Sequence, residues 1–250
     1  MMSDDKPELK RFYKTVSVAL NQDNVYEVRL DGRPAKTPRR AALASPRSAV
    51  AELVAGEWAA APEIIDPHAM RLTKTLSTAV DLGPGARAAW IGEILNYLSS
   101  DLLCYRADAP AALAERQEKV WSPYLVKFDA RFGVALKVTT GIVAIDQPGA
   151  AMTAVGDWLA ARDNEQLCCL NDLTALVGSA VLALALAAEN ASPESVFAAA
   201  RLDETFQREQ WGEDDEAMAR EADLKAAFDA TALFAGVVFN GAPEETSGGC

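Results

Sequence analysis

Apolar and polar positions alternate along the first forty residues and then change to a repeat of three to four. In residues 15–20 valine and leucine alternate with smaller side chains, and in residues 25–30 Tyr26, Val28 and Leu30 form one apolar set. A period of two belongs to a half-buried strand. Residues 21–24 lie between the two runs, begin and end with asparagine, and predict the turn of a hairpin. Asp31-Gly32 is a second turn signal, because glycine takes positive φ without steric cost. Residues 33–37 predict a short third strand or an extended arm, which Pro34 and Pro38 confine to an edge.

Helical periodicity follows. Ser45-Pro46 predicts an N-cap with proline in the first turn, ahead of Val50, Leu53, Val54 and Trp58, and Pro62 ends that helix. Ser122-Pro123 gives the same start signal before Tyr124, Leu125, Phe128 and Phe132, and Ser192-Pro193 gives it before Val196 and Phe197. A last amphipathic helix carries Leu224, Phe228 and Phe234. Gly83-Pro84-Gly85 reads as a turn and not as a phosphate cradle, since proline removes an N–H that a cradle needs. The longest apolar stretch, residues 173–188, contains Thr174, Gly178 and Ser179 and falls short of the roughly 18 residues of a membrane span, so it predicts a buried helix. Residues 241–250, rich in Gly, Pro, Glu and Ser, predict a flexible tail. The expected fold class is α+β. A small N-terminal β-containing domain (residues 1–64) precedes a larger multihelical domain (residues 65–240).

Composition narrows the partners. Half of the 250 residues are hydrophobic and 24% are charged, with a formal net charge of −12. An acidic surface repels phosphate backbones and anionic lipid heads, so nucleic acid and membrane insertion are not expected, and a basic protein surface is. Arg33, Lys36, Arg39 and Arg40 form one basic patch, too small and too local for a nucleic-acid footprint. The four cysteines, Cys104, Cys168, Cys169 and Cys250, include no C-x-x-C pair and read as reduced thiols. Residues 1–13 lack the apolar run of a secretory signal and are too acidic for a typical transit peptide, which points to a bacterial cytoplasm.

Catalytic chemistry has little to work with. His68 is the one histidine of the sequence, so two-histidine metal sites are impossible and any Ser-His-Asp triad would have to use it. The sequence has no nucleophile elbow, Walker A loop or dinucleotide fingerprint. Asp203-Glu204 and residues 213–216 are the carboxylates that could serve as acid and base, which leaves a carboxylate-dependent hydrolase as an alternative. Against it, Arg201 stands three residues before Glu204 and Arg208 four after, a spacing for exposed ion pairs on one helix face. No enzyme, cofactor or metal is expected.

Five stretches in order resemble one family. Leu30-Asp31-Gly32-Arg33-Pro34-Ala35-Lys36-Thr37-Pro38 is similar to a signature of the assembly chaperones that serve the alpha subunit of F-type ATP synthase in mitochondria and alpha-proteobacteria. Glu57-Trp58 closes the first helix as in that family. Met70-Arg71-Leu72-Thr73-Lys74-Thr75-Leu76 with Thr78-Ala79-Val80-Asp81 resembles a further segment, with Arg71 where the pattern has proline. Ser100-Asp101-Leu102-Leu103-Cys104-Tyr105-Arg106-Ala107-Asp108, followed by Leu113, Gln117, Trp121 and Pro123, resembles the family's central block. Leu202-Asp203-Glu204, Phe206-Gln207 and Trp211-Gly212 resemble its C-terminal motif, with Asp203 at a position where the pattern has glutamate.

The resemblance implies a chaperone that binds the free alpha subunit and prevents its aggregation until the beta subunit replaces it. It implies a mitochondrial matrix location in eukaryotic relatives. The client-binding candidates are Glu204, Asp203, Trp58, Trp211 and Arg106. Trp58 reads either as a core residue on the stripe of Val50 and Val54 or as a partly exposed anchor. Arg106 reads as a local partner of Asp101 or Asp108, or as a client contact. A monomer is expected when free, and a general holdase with many clients is a further alternative.

Overall fold

The computed structural model describes residues 9–212 and 215–240; the expected tail at 241–250, with Cys250, lies outside them. Strands come first, as the alternation predicts. β2 (Val16–Leu20) and β3 (Tyr26–Leu30) form an antiparallel hairpin with Val18 opposite Val28. Its turn is closed by the Asn21 carboxamide, which accepts from the N–H groups of Asp23 and Val25, and Asn24 takes φ 61°. β3 also pairs with β4 (Arg33–Pro34) and β5 (Ala44–Ser45). The expected third strand is thus only two residues long, continued by a single bridge between Lys36 and Ala42. A separate pair joins β1 (Leu9–Lys10) to β6 (Ile64–Ile65).

Helices α1 (Ser48–Ala60), α2 (Arg71–Ser99), α3 (Ala111–Phe132), α4 (Gly149–Ala160), α5 (Asn164–Val177), α6 (Ala180–Ala188), α7 (Pro193–Ala200), α8 (Leu202–Trp211) and α9 (Asp215–Asn240) make up the rest. A short parallel pair, β7 (Tyr105–Arg106) with β8 (Thr139–Thr140), lies among them. The architecture is α+β, a small strand-containing N-terminal part and a larger multihelical part. α5 is central and packs against α2, α6 and α9.

Three start signals resolve differently. Ser192 caps α7 as expected, accepting from the Ser195 N–H, with Pro193 in the first turn. The Ser45-Pro46 signal falls two residues early: Ser45 is held in β5, its hydroxyl accepts from the Arg47 N–H, and α1 starts at Ser48. Ser122-Pro123 starts nothing. Pro123 lies inside α3, as Pro84 lies inside α2, so Gly83-Pro84-Gly85 is not a turn. Both prolines face solvent, and the buried stripes Leu113, Gln117, Trp121, Phe128 and Leu72, Leu76, Ala79, Trp90 run past them. Packing along the inner face outweighs the roughly 3 kcal/mol that an interior proline costs.

The apolar stretch at 173–188 is two helices. Gly178 closes α5 at φ 66°, and Ser179 opens α6 by accepting from the Leu182 N–H. Residues 180–187 of α6 are all buried. Among the described residues no helix is long and apolar enough to cross a membrane.

Several contacts tie the strand-containing part to the helices. Glu57 at the end of α1 accepts from the N–H groups of Leu72 and Thr73 at 2.9 and 2.8 Å and from the Thr73 hydroxyl at 2.6 Å. It therefore caps α2, whose own preceding residue, Met70, has no cap to offer. The buried Arg47 guanidinium reaches Glu165 at 2.8 Å and also pairs with Asp163, at the start of α5. Asp163 forms a capping box with Gln166 there.

Candidate functional site

Two adjoining hollows flank Trp58. The first, about 560 Å³, is walled by Trp58, Ile65, Met70 and Leu82, with Lys36, Thr37, Arg39, Lys74 and Asp81 around it. The second, about 590 Å³, is walled by Phe12, Tyr13, Leu30 and Pro34, with Asp31, Arg33 and Lys36 around it. Trp58 and Lys36 line both. Trp58 is half-buried, so it is neither the closed core residue nor a free surface one. Its ring meets that of Tyr13 edge-on at 5.6 Å, and the Tyr13 hydroxyl donates to the Trp58 carbonyl at 2.6 Å. The indole N–H has no acceptor.

Residues from the first and third motif stretches meet here. Thr37, itself buried, donates to the Asp81 carboxylate at 2.6 Å, and the Arg39 N–H donates to its other oxygen at 3.0 Å. Thr37 and Asp81, 44 positions apart, thus lock the arm at 35–40 onto α2. Asp31 accepts from the backbone of Lys14 and Thr15 and from the Thr15 hydroxyl, and those backbone bonds hold its carboxyl below the usual range. Tyr13 and Phe12 escaped the sequence reading; they lie between β1 and β2, in a stretch whose hydrophobic pattern carries no signal for them.

Around Asp203 the structure assembles a second cluster. Gln117, buried on α3, donates to Asp203 at 2.8 Å and accepts from the Ala107 N–H at 2.8 Å. Arg106 is buried, 8% exposed, and donates to the Gln117 carbonyl at 2.8 Å and to the Ser122 hydroxyl at 3.2 Å, over the face of Trp121 at 5.1 Å. Burial pulls its guanidinium below the ordinary arginine range, opposed by Glu118, the Cys104 thiol and Asp203. The expected local pairing of Arg106 with Asp101 or Asp108 is absent: Arg106 turns onto α3. Asp101 is fully buried and accepts from the Ser179 hydroxyl and the Leu103 and Val181 N–H groups. Burial pushes its carboxyl up to about 6.

Asp203 and Glu204, adjacent in sequence, have different surroundings. Asp203 is half-buried and holds α8 to Gln117. The Glu204 side chain is 46% exposed and pairs with Arg201 at 2.6 Å. Arg208, the other expected partner of Glu204, pairs with Glu221 of α9 instead. Trp211, at the end of α8, is 81% exposed. The hollow beside Asp203 and Glu204, about 300 Å³, is walled by Leu102, Trp121 and Val177, and shares no lining residue with the hollows at Trp58. Arg106, Asp203 and Glu204 therefore belong to one locality and Trp58 to another.

Cys104, Cys168 and Cys169 are free and buried; burial pushes the Cys104 thiol up to about 12 and the other two higher still, so thiolate chemistry is suppressed at all three. Among the described residues no group of three or more His, Cys, Asp or Glu side chains converges as a metal site would require.

Comparison with known proteins supplies the remaining observation. A model of the family described as ATP12 chaperone protein matches residues 10–129. A candidate chaperone from Agrobacterium tumefaciens, solved by crystallography, is 38% identical with a TM-score of 0.88, over 92% of this chain and 86% of that one. The crystal structure of Atp12 from Paracoccus denitrificans is 33% identical with a TM-score of 0.85, over 92% of this chain and 98% of that one. An aspartate-to-lysine mutant of the same Paracoccus protein matches at the same TM-score and identity.

Proposed function

The chain belongs to the ATP12 chaperone family, and from that premise we propose that it is an assembly chaperone of the ATP synthase catalytic head, binding the free alpha subunit and keeping it from aggregating until the beta subunit takes its place. The observation that carries this reading is Trp58, a partly buried aromatic held by Tyr13 between two hollows. An unassembled subunit exposes apolar interface surface that aggregates when uncovered. A large aromatic, oriented by its neighbours and ringed by polar groups, is the kind of anchor that carries most of an interface's energy. Binding alone performs this task, so it requires no cofactor and no catalytic group.

The C-terminal acidic motif is the second contact. Glu204, not Asp203, is the residue available to a basic side chain of the alpha subunit, because Asp203 is engaged by Gln117 and Glu204 stands half-exposed in a replaceable ion pair. Arg106 acts through Gln117 to position α8. Trp211 extends the same helix as an exposed apolar contact. The free protein is a monomer, and its place is the compartment in which the head is built, the bacterial cytoplasm or the mitochondrial matrix.

Gel filtration with purified alpha subunit tests the reading, with the beta subunit and the assembled head as controls. Co-elution with free alpha only is expected, weakened by Glu204→Lys. Absence of a complex with alpha at any salt or nucleotide concentration would overturn it. Equal binding to beta and to unrelated unfolded proteins would establish a general holdase instead.

A further inference from the structure

The two hollows at Trp58 carry a charge pattern opposite to that of the whole molecule. Arg33, Lys36, Arg39 and Lys74 line them against two carboxylates, and those accept hydrogen bonds within the chain: Asp81 from Thr37 and Arg39, and Asp31 from Lys14 and Thr15. Two of the cations are free of such contacts. Arg33 and Lys36 are exposed and, among the described residues, make no ion pair. Lys74, exposed, also lines the first hollow, and its charge acts on Asp172. On a chain of net charge −12 this leaves a net positive charge gathered around a floor of Trp58, Tyr13, Met70 and Leu82.

A cationic rim around an apolar floor selects a ligand by two criteria at once, negative charge and apolar bulk. We propose that this groove takes an acidic peptide segment bearing a bulky apolar side chain, with the apolar group against Trp58 and the carboxylates at Arg33 and Lys36. Each hollow has room for such a side chain, and Lys36 at their junction reaches a carboxylate in either. This deepens the reading of Trp58 as a client contact and rests on it: it assigns the chemistry of the client segment that Trp58 meets. The acidic segment engages the groove while basic surface of the client meets Glu204, so the two localities select for opposite charges and fix the orientation of the complex.

The test uses the full chain and a fluorescent peptide in which glutamates flank a phenylalanine-leucine pair. Peptides with lysines in place of the glutamates, and with serines in place of the apolar pair, are the comparisons. Anisotropy is expected to report binding of the first peptide only, weakening steeply with salt. The double variant Arg33→Glu with Lys36→Glu is expected to weaken it by about tenfold or more, while Lys127→Glu, an exposed charge reversal on α3, leaves it unchanged. Circular dichroism melts confirm that the double variant is folded; both side chains are exposed and make no side-chain hydrogen bond. Equal affinity for the acidic and basic peptides, or an unaltered affinity in the folded double variant, would overturn the inference. Gel filtration with alpha separates this outcome from failure of the chaperone reading. A double variant that still binds alpha as the wild type does removes the groove assignment alone, and a wild type that binds the peptide but not alpha removes the alpha assignment alone.

Discussion

At the scale of the residue, Trp58 stands where packing of the core meets the recognition role proposed for it. Its position on the stripe of Val50 and Val54 is that of a core residue, and both valines are fully buried. It stands near the end of α1, partly buried against the core, with the Tyr13 ring meeting it edge-on. Trp58→Ala therefore removes a half-buried ring and no side-chain hydrogen bond. The expected cost is about 1–3 kcal/mol, less than the 3–5 of a closed core tryptophan. In a melt that is a fall of about 2–4 °C per kcal/mol for a chain of this size. An unchanged melt would mean that Tyr13 packs equally well without it, and unfolding would return Trp58 to the core.

At the scale of the element, α2 shows what a local signal cannot report. Gly83-Pro84-Gly85 reads as a break on every local criterion, yet the helix runs through it from Arg71 to Ser99. Gly83 is required by the helix that crosses it: a Cβ there would lie 2.6 Å from the carboxamide of Asn164 and 2.7 Å from its Cβ. That carboxamide accepts from Arg87 at 3.0 Å, and Arg87 also donates to the Ala160 and Arg162 carbonyls. Gly83→Ala should gain up to about 1 kcal/mol in helix propensity and lose more by forcing α2 from α5, for a net destabilisation of about 1–3 kcal/mol. Urea unfolding measures it; a stabilised variant would show that Asn164 moves aside freely.

At the scale of the molecule, buried carboxylates set the response to pH. Burial pushes Asp101 and Asp172 up to about 6, from ordinary values of 3.8, and raises Glu165 as well. A raised carboxyl keeps a proton in the native state that the unfolded chain has released. This contribution therefore favours the fold most at or below about pH 4 and declines as pH rises from about 4 to about 6, after which it is constant. The exposed Asp31 and Glu209, held low, act in the opposite sense only in stronger acid. The urea midpoint is expected to be higher at pH 5 than at pH 7.5, and Asp172→Asn to reduce the difference. Equal midpoints at the two pH values in the wild type would contradict this. Asp101 is the poorer probe, because an amide in its place could not accept the same bonds from Leu103, Ser179 and Val181.

The sequence by itself determined what depends on near neighbours. The hairpin of residues 16–30 follows from a period of two closed by Asn21, the Ser192-Pro193 cap from a contact three residues long, and the α+β class from the change of period after residue 45. The five motif stretches identified the family, because residue identity in order survives without knowledge of contacts. The tertiary structure decided what depends on partners far along the chain. It carried α2 and α3 through Pro84 and Pro123, because the stripes of Trp90 and Trp121 are buried against other helices. It took Arg106 from Asp101 to Gln117, and it divided Asp203 from Glu204 by turning one toward α3 and the other toward solvent. It also set Thr37 on Asp81 and Trp58 between two hollows. Burial and the choice of hydrogen-bond partner are properties of packing, and the same side chain in the same local sequence takes either role according to what the fold places opposite it.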